Sequence, residues 1–215
     1  ASGFDDVAGN SFAGINDATT LNFTAADVAG PTLSSSTPAD NATGVAVDAN
    51  IVLTFNENVV AGSGNITLKK SSDNSTVEAM AVGGANVSIS GAAVTVNPTA
   101  DLDSSQGYYL QIAATAFDDA SGNSYAGIND TTTLSFTAAD VVGPTMAITS
   151  TTSGVSSGST TNDSTINLTF TANEAATGFA ANDITVSGGS VSSFATVSST
   201  VYTATFTPSG AGATT

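Results

Sequence analysis

Short runs in which apolar and polar residues alternate recur along this chain. They are NIVLTF (Asn50 to Phe55), NITLKK (Asn65 to Lys70), VSISG (Val87 to Gly91), AVTVNP (Ala93 to Pro98), YYLQIAA (Tyr108 to Ala114) and TTLSFT (Thr132 to Thr137). A period of two puts every second side chain on one face of a pleated strand. Each run is bounded by Gly, Asn, Asp or Pro, the residues that supply turn geometry. Strands of this length, with turn signals about every ten residues, predict an antiparallel β-sandwich. Pro31 and Pro144 open the first strand of a unit, where an edge position can dispense with the N–H. Nothing longer than a turn has a helical pattern.

Residues 28–140 hold the strands of one complete sandwich of roughly immunoglobulin size. After it, GPTMAITSTT (Gly143 to Thr152), STINLTFTANEAATGF (Ser164 to Phe179), NDITVSGGSVSSF (Asn182 to Phe194) and TVYTATFTPSG (Thr200 to Gly210) supply strands for a second, divergent sandwich over residues 141–215. The predicted fold class is all-β, with tandem immunoglobulin-like sandwiches joined end to end.

One passage is spelled twice. FDDVAGNSFAGINDATTLNFTAADVAGPT (Phe4 to Thr32) returns as FDDASGNSYAGINDTTTLSFTAADVVGPT, with Phe117 standing 113 positions after Phe4 and Thr145 113 after Thr32. The second copy covers the last hairpin and the exit linker of the complete unit. Residues 1–27 are therefore expected to be the closing hairpin and linker of a preceding repeat, and residues 141–215 a sandwich cut short before its own. That is the pattern of a window taken from a tandem array. The rival reading is strand donation, in which the first hairpin of one chain completes the last sandwich of another and builds a filament.

Composition narrows the chemistry. The chain carries 2 Lys plus Arg against 18 Asp plus Glu, a net charge of −16, with no His, Cys or Trp. Both cations are lysines, Lys69 and Lys70, so a basic face for nucleic acid is excluded. Imidazole, thiolate and guanidinium are all missing, which removes the usual parts of acid–base, nucleophilic and oxyanion catalysis. Zinc and copper sites lose their His and Cys ligands in the same way. Carboxylates, amides and hydroxyls remain, the hard-oxygen ligand set of Ca²⁺. A glycosidase-like Asp pair would need a cleft and sugar-stacking aromatics, which small sandwiches without Trp do not offer. No apolar run approaches the 18 or so residues of a membrane span.

The residues STPADNATGVAVDANIVLTFNENVVAGSGNITL (Ser36 to Leu68), with GYYLQIAATAFDDASGNSYAGINDTTTLSF (Gly107 to Phe136), resemble the bacterial Ig-like domains of very large surface proteins such as S-layer proteins and giant adhesins. NEAATGFAANDITVSGGSVSSFATVSSTVYTATFTP (Asn173 to Pro208) is similar to a second kind of bacterial Ig-like repeat. The resemblance implies a non-catalytic spacer at the bacterial cell surface or outside the cell. Its partners would be neighbouring Ig-like repeats, with homotypic assembly as a further possibility.

In an immunoglobulin-type sandwich, alternate loops fall on alternate poles. The incoming pole then groups Asp27, Glu57 and the cluster Asp118, Asp119 and Asn123. The outgoing pole gathers Asp40, Asp48, Asp101, Asp103 and Asp140, and the second sandwich offers Glu174 as the counterpart of Glu57 in TFNEN and TANEA. Asp101, Asp103, Asp140 and Glu174 are thus expected as Ca²⁺ ligands at the domain junction, and Asp27, Glu57, Asp118 and Asp119 at the incoming pole. LDSSQGYYLQI (Leu102 to Ile112) loosely resembles the calcium-binding loop of cadherin repeats, although the second acidic residue of that loop is missing and the linker holds one Asp. The alternative for each carboxylate is local: Asp starts turns by accepting nearby backbone N–H groups. Tyr108 and Tyr109 open a late strand, where sandwiches place a corner tyrosine bonded to backbone. Lys69 and Lys70 are expected at a solvated hairpin tip.

These observations together predict a structural segment of an extracellular bacterial surface fibre or adhesin, with Ca²⁺ stiffening its joints. The rivals are a strand-donating filament subunit and an accessory module of a secreted enzyme.

Overall fold

The computed structural model describes residues 3–212. Residues 1–2 and 213–215, the outer ends of the first and last segments assigned from the sequence, lie outside the described residues. The chain forms two compact units, Ala1–Asp140 and Val141–Thr215.

In the first unit the strands run in chain order: β1 (Leu33–Thr37), β2 (Ala42–Val45), β3 (Ile51–Phe55), β4 (Val60–Ala61), β5 (Asn65–Lys70), β6 (Thr76–Ala81), β7 (Val87–Ser90), β8 (Ala93–Val96), β9 (Gly107–Ile112), β10 (Phe117–Asp118) and β11 (Ser135–Ala138). One sheet has the order β1-β3-β8-β7 and is antiparallel throughout. The other has the order β2-β11-β9-β5-β6, antiparallel except that β2 runs parallel to β11. The short strand β10 pairs with β4.

The alternation in the sequence becomes the core. Ile51, Leu53 and Phe55 of β3 and Val94 and Val96 of β8 point inward from the first sheet. Ile66 and Leu68 of β5, Tyr108, Leu110 and Ile112 of β9, and Phe136 and Ala138 of β11 point inward from the second. All belong to one buried cluster, so the two sheets face each other as a sandwich. Burying an aliphatic or aromatic side chain of this size contributes about 1.5–3 kcal/mol each, and the sum over this cluster is what offsets chain entropy.

The two adjacent tyrosines of β9 must face opposite ways. Tyr108 enters the core, stacked on Phe136 at 5.9 Å, and its hydroxyl accepts the Asp103 N–H at 2.8 Å. That is the corner bond to backbone expected of this strand. Tyr109 is buried on the outer face, where its hydroxyl donates to Asn74 Oδ1 at 3.1 Å and Lys69 lies over its ring.

Among its described residues the second unit has β12 (Met146–Ser150), β13 (Ile166–Ala172), β14 (Gly189–Thr196) and β15 (Val201–Pro208), with a 3-10 turn at Ala181–Asp183. Its described strands form one antiparallel sheet in the order β12-β13-β15-β14. Phe170, Tyr202 and Ala204 are buried on it, covered by Leu168, Phe179, Ile184, Val191 and Phe194. The run Asn182 to Phe194, expected to supply strand, does so from Gly189. Its first part is the 3-10 turn, held by the Asp183 carboxylate accepting the Ala180 N–H at 2.8 Å.

Among the described residues no helix is long and apolar enough to cross a membrane.

Candidate functional site

The incoming linker is fastened to the first unit at two points. Asn56, just after β3, accepts the Thr32 N–H on its side-chain oxygen at 2.6 Å. Gly30 passes so close to the closing hairpin that a Cβ there would stand 2.3 Å from the Ser124 carbonyl oxygen. No side chain fits that approach, which explains the glycine in AADVAGPT. The Asn123 amide then donates to the Asp27 carbonyl at 3.3 Å.

This fastening brings three carboxylates together. Side-chain oxygens of Asp27, Glu57 and Asp119 lie within 4.8 Å of one another. They come from the incoming linker, the loop after β3 and the loop after β10. Asp27 is exposed, Glu57 is half-buried and Asp119 is 3% exposed. Asp119 is the organised member: Oδ1 accepts the N–H groups of Ser121 and Asn123, both at 2.8 Å, and Oδ2 accepts the Asn123 amide at 2.7 Å. The Asn123 side chain first, and the backbone donors after it, hold the Asp119 carboxyl below its ordinary pKa against the opposing effect of burial. Asp119 therefore stays ionised at neutral pH. A carboxylate has about four acceptor positions, and three of these are filled.

Neither lysine serves this trio. Lys70 ion-pairs with Asp103 at 2.7 Å, and Lys69 lies over Tyr109. Lys70 stands at the end of the β5–β6 hairpin, as expected, and lies opposite Tyr108 of β9, so its side chain reaches the loop before β9.

The remaining sequence-assigned carboxylates have other settings. Asp118 accepts the Ser124 hydroxyl at 2.5 Å and does not join the trio. Asp103 is engaged by Lys70, and Asp140 accepts the Ser104 hydroxyl at 3.0 Å. Asp101 lines a polar pit with Asp48, Asn86 and Asn97. Asp40 was grouped from the sequence with the outgoing pole. It instead accepts the Ser135 N–H at 2.9 Å, at the start of β11, while Asp140 follows that strand's end. Parallel pairing of β2 with β11 places it there. Glu174, in the second unit, follows Asn173, whose side-chain oxygen accepts the Thr145 N–H at 2.6 Å. Each unit thus ties its first strand to an Asn-Glu pair by the same bond. The signal for this clasp is the repeated dipeptide Asn-Glu after an apolar strand.

With the geometry in place, comparison with known proteins defines the class. A family model described as bacterial Ig-like domain matches residues 27–138. A second model of the same description matches residues 140–215. The chain belongs to the bacterial Ig-like domain family and carries two such domains in tandem. No curated protein sequence matches it. Among solved structures it is similar to the S-layer protein rSbsC(31-844), at 15% identity and a TM-score of 0.35 over 66% of this chain and 23% of that one. The N-terminal part of the S-layer protein SbsC matches with the same identity, score and coverage of this chain, over 40% of its own length. The chain spans well under half of either protein.

Proposed function

We propose that this chain is a non-catalytic spacer in an extracellular bacterial surface protein. The observation that carries the reading is the tandem pair of bacterial Ig-like domains, with a separate hydrophobic core in each unit. Such a sandwich holds its ends apart without ligand or chemistry. The low share of charged residues, 9%, and the strongly acidic balance suit a surface that stays soluble outside the cell. Antibodies against the chain are expected to label intact, unpermeabilised cells of the source bacterium. Labelling confined to permeabilised cells would sink the reading.

The second part of the proposal is a Ca²⁺ ion held by Asp27, Glu57 and Asp119. Their spacing and hard oxygen chemistry support it, and six to eight oxygens are needed in all. Backbone carbonyls and water would complete the shell. An ion there would join the incoming linker to two loops of the sandwich and so stiffen it at its joint. Calorimetric titration of the chain with CaCl₂ is expected to show saturable binding and a calcium-dependent rise in the first unit's melting temperature. Glu57→Gln is expected to weaken binding by about tenfold or more. Absence of binding at millimolar Ca²⁺, or an unchanged affinity in Glu57→Gln, would count against the ion.

A further inference from the structure

The first copy of the repeated passage has the hairpin but not the burial. Phe4, Phe12, Ile15, Leu21 and Phe23 are all more than half exposed, up to 88% at Phe23. Their counterparts 113 positions later, Phe117, Tyr125, Ile128, Leu134 and Phe136, are core residues of the first unit. Five large apolar side chains are thus left uncovered along one stretch of chain.

The local frame of this segment is already that of the closing hairpin. Phe12 N–H donates to the Phe4 carbonyl at 2.7 Å, as Tyr125 N–H does to Phe117 at 2.8 Å. Asp5 bridges to Ser11 as Asp118 does to Ser124. Asp6 accepts the Ala8 and Asn10 N–H groups and the Asn10 amide, repeating the bonds of Asp119 with Ser121 and Asn123. Asp17 accepts the N–H groups of Thr19 and Thr20, as Asp130 does those of Thr132 and Thr133. Asx turns of this kind need no tertiary partner, so the hairpin's turns form whether or not a sandwich lies beneath it.

We propose that residues 4–25 are a pre-shaped closing hairpin whose partner is an open Ig-like sandwich of the first unit's kind, equivalent to residues 28–113. The partner is not the second unit's kind. The segment reproduces, in order and spacing, the residues whose rings meet Phe55 and Tyr108 and whose backbone bridges Ile112 in the first core, and a different family model matches the second unit. In the first unit of this chain the place is already filled by residues 117–138, whose covalent tether gives them an effective concentration in the millimolar range or above. The segment therefore remains available to a sandwich that lacks its own hairpin. The inference stands on the shared core register and not on where the protein is located.

A fusion protein tests it. Residues 28–113 are placed directly before Ala1 of the intact chain, because Ala1 holds the repeat position of Ala114. The expected result is that the added residues fold as a further sandwich and resist limited proteolysis as the first unit does. The same fusion carrying Phe4→Asp and Phe23→Asp is expected to lose that protection, with cleavage in the added residues faster by about a hundredfold. The two original units serve as the folded reference in both proteins. Rapid cleavage of the added residues in the unsubstituted fusion overturns the proposal. So does equal protection in the substituted one.

Discussion

Phe117→Ala is expected to destabilise the first unit by about 3–5 kcal/mol, while Phe4→Ala, at the matching position of the repeat, leaves that unit unchanged. The two residues sit in nearly identical sequence. Phe117 is fully buried, with its ring 5.2 Å from that of Phe55, which in turn meets Tyr125 edge-on at 5.2 Å. Removing it opens a cavity where the hairpin closes over β3 and β4, and the surrounding strands cannot collapse into it without breaking the β4–β10 pair. Phe4 is 77% exposed and belongs to no core cluster. Differential scanning calorimetry of the two variants reads the contrast directly. A loss of this size lowers the melting temperature of a domain of this length by on the order of 15 °C. Equal effects would mean that Phe4 is buried in solution.

The contrast also shows what sequence can and cannot convey here. Alternation identified β3, β5, β7, β8, β9 and β11 because each has one face in the core, and burial is what imposes a period of two. The edge strand β6 went unread. In TVEAMA only Met80 is buried, so no alternation was needed. The four residues of β2, ATGV, look like a turn, and their pairing with β11 joins positions more than 90 residues apart. Nothing local encodes such a partner. In the second unit the run from Asn182 is expected as strand, yet the Asp183 carboxylate caps a turn there.

The site followed the same division. That alternate loops share a pole was enough to group Asp27, Glu57 and Asp119 from the sequence, since sandwich topology alone sets which loops meet. Two details were invisible. One is that adjacent acidic residues diverge: Asp118 lies on β10 and turns to Ser124, while Asp119 faces Asn123 and the linker. The other is the Lys70–Asp103 pair, which depends on the register of β5 against β9. A solvated pair of this kind contributes at most about 1 kcal/mol, so its energetic weight is small. Its consequence for charge is larger, because it engages one of the chain's two cations.

Tyr202→Ala is expected to unfold the second unit at temperatures where the first remains native. The described core of that unit is an aromatic cluster in which Tyr202 is buried and touches two of the other rings. Phe179 meets the Tyr202 ring edge-on at 5.0 Å, Phe194 stacks on it at 6.0 Å, and Phe170 reaches the group through Phe179 at 5.6 Å. The single Tyr202 hydroxyl proton is shared between the carbonyls of Ala176 and Ser199, at 3.0 and 3.3 Å, tying two loops to β15. Truncation removes the ring contacts and both ties at once, a loss of about 3–5 kcal/mol. A unit of some 75 residues has little stability to spare. Tyr202→Phe keeps the ring and gives up only the hydroxyl, so its expected cost is about 0.5–1.5 kcal/mol. Amide hydrogen exchange distinguishes the two changes residue by residue. In Tyr202→Ala, protection across β13 and β15 is expected to vanish while β3, β5 and β9 keep theirs, because the first unit's core contains none of these side chains. If protection were lost in both units together, their folding would be one cooperative event instead of two.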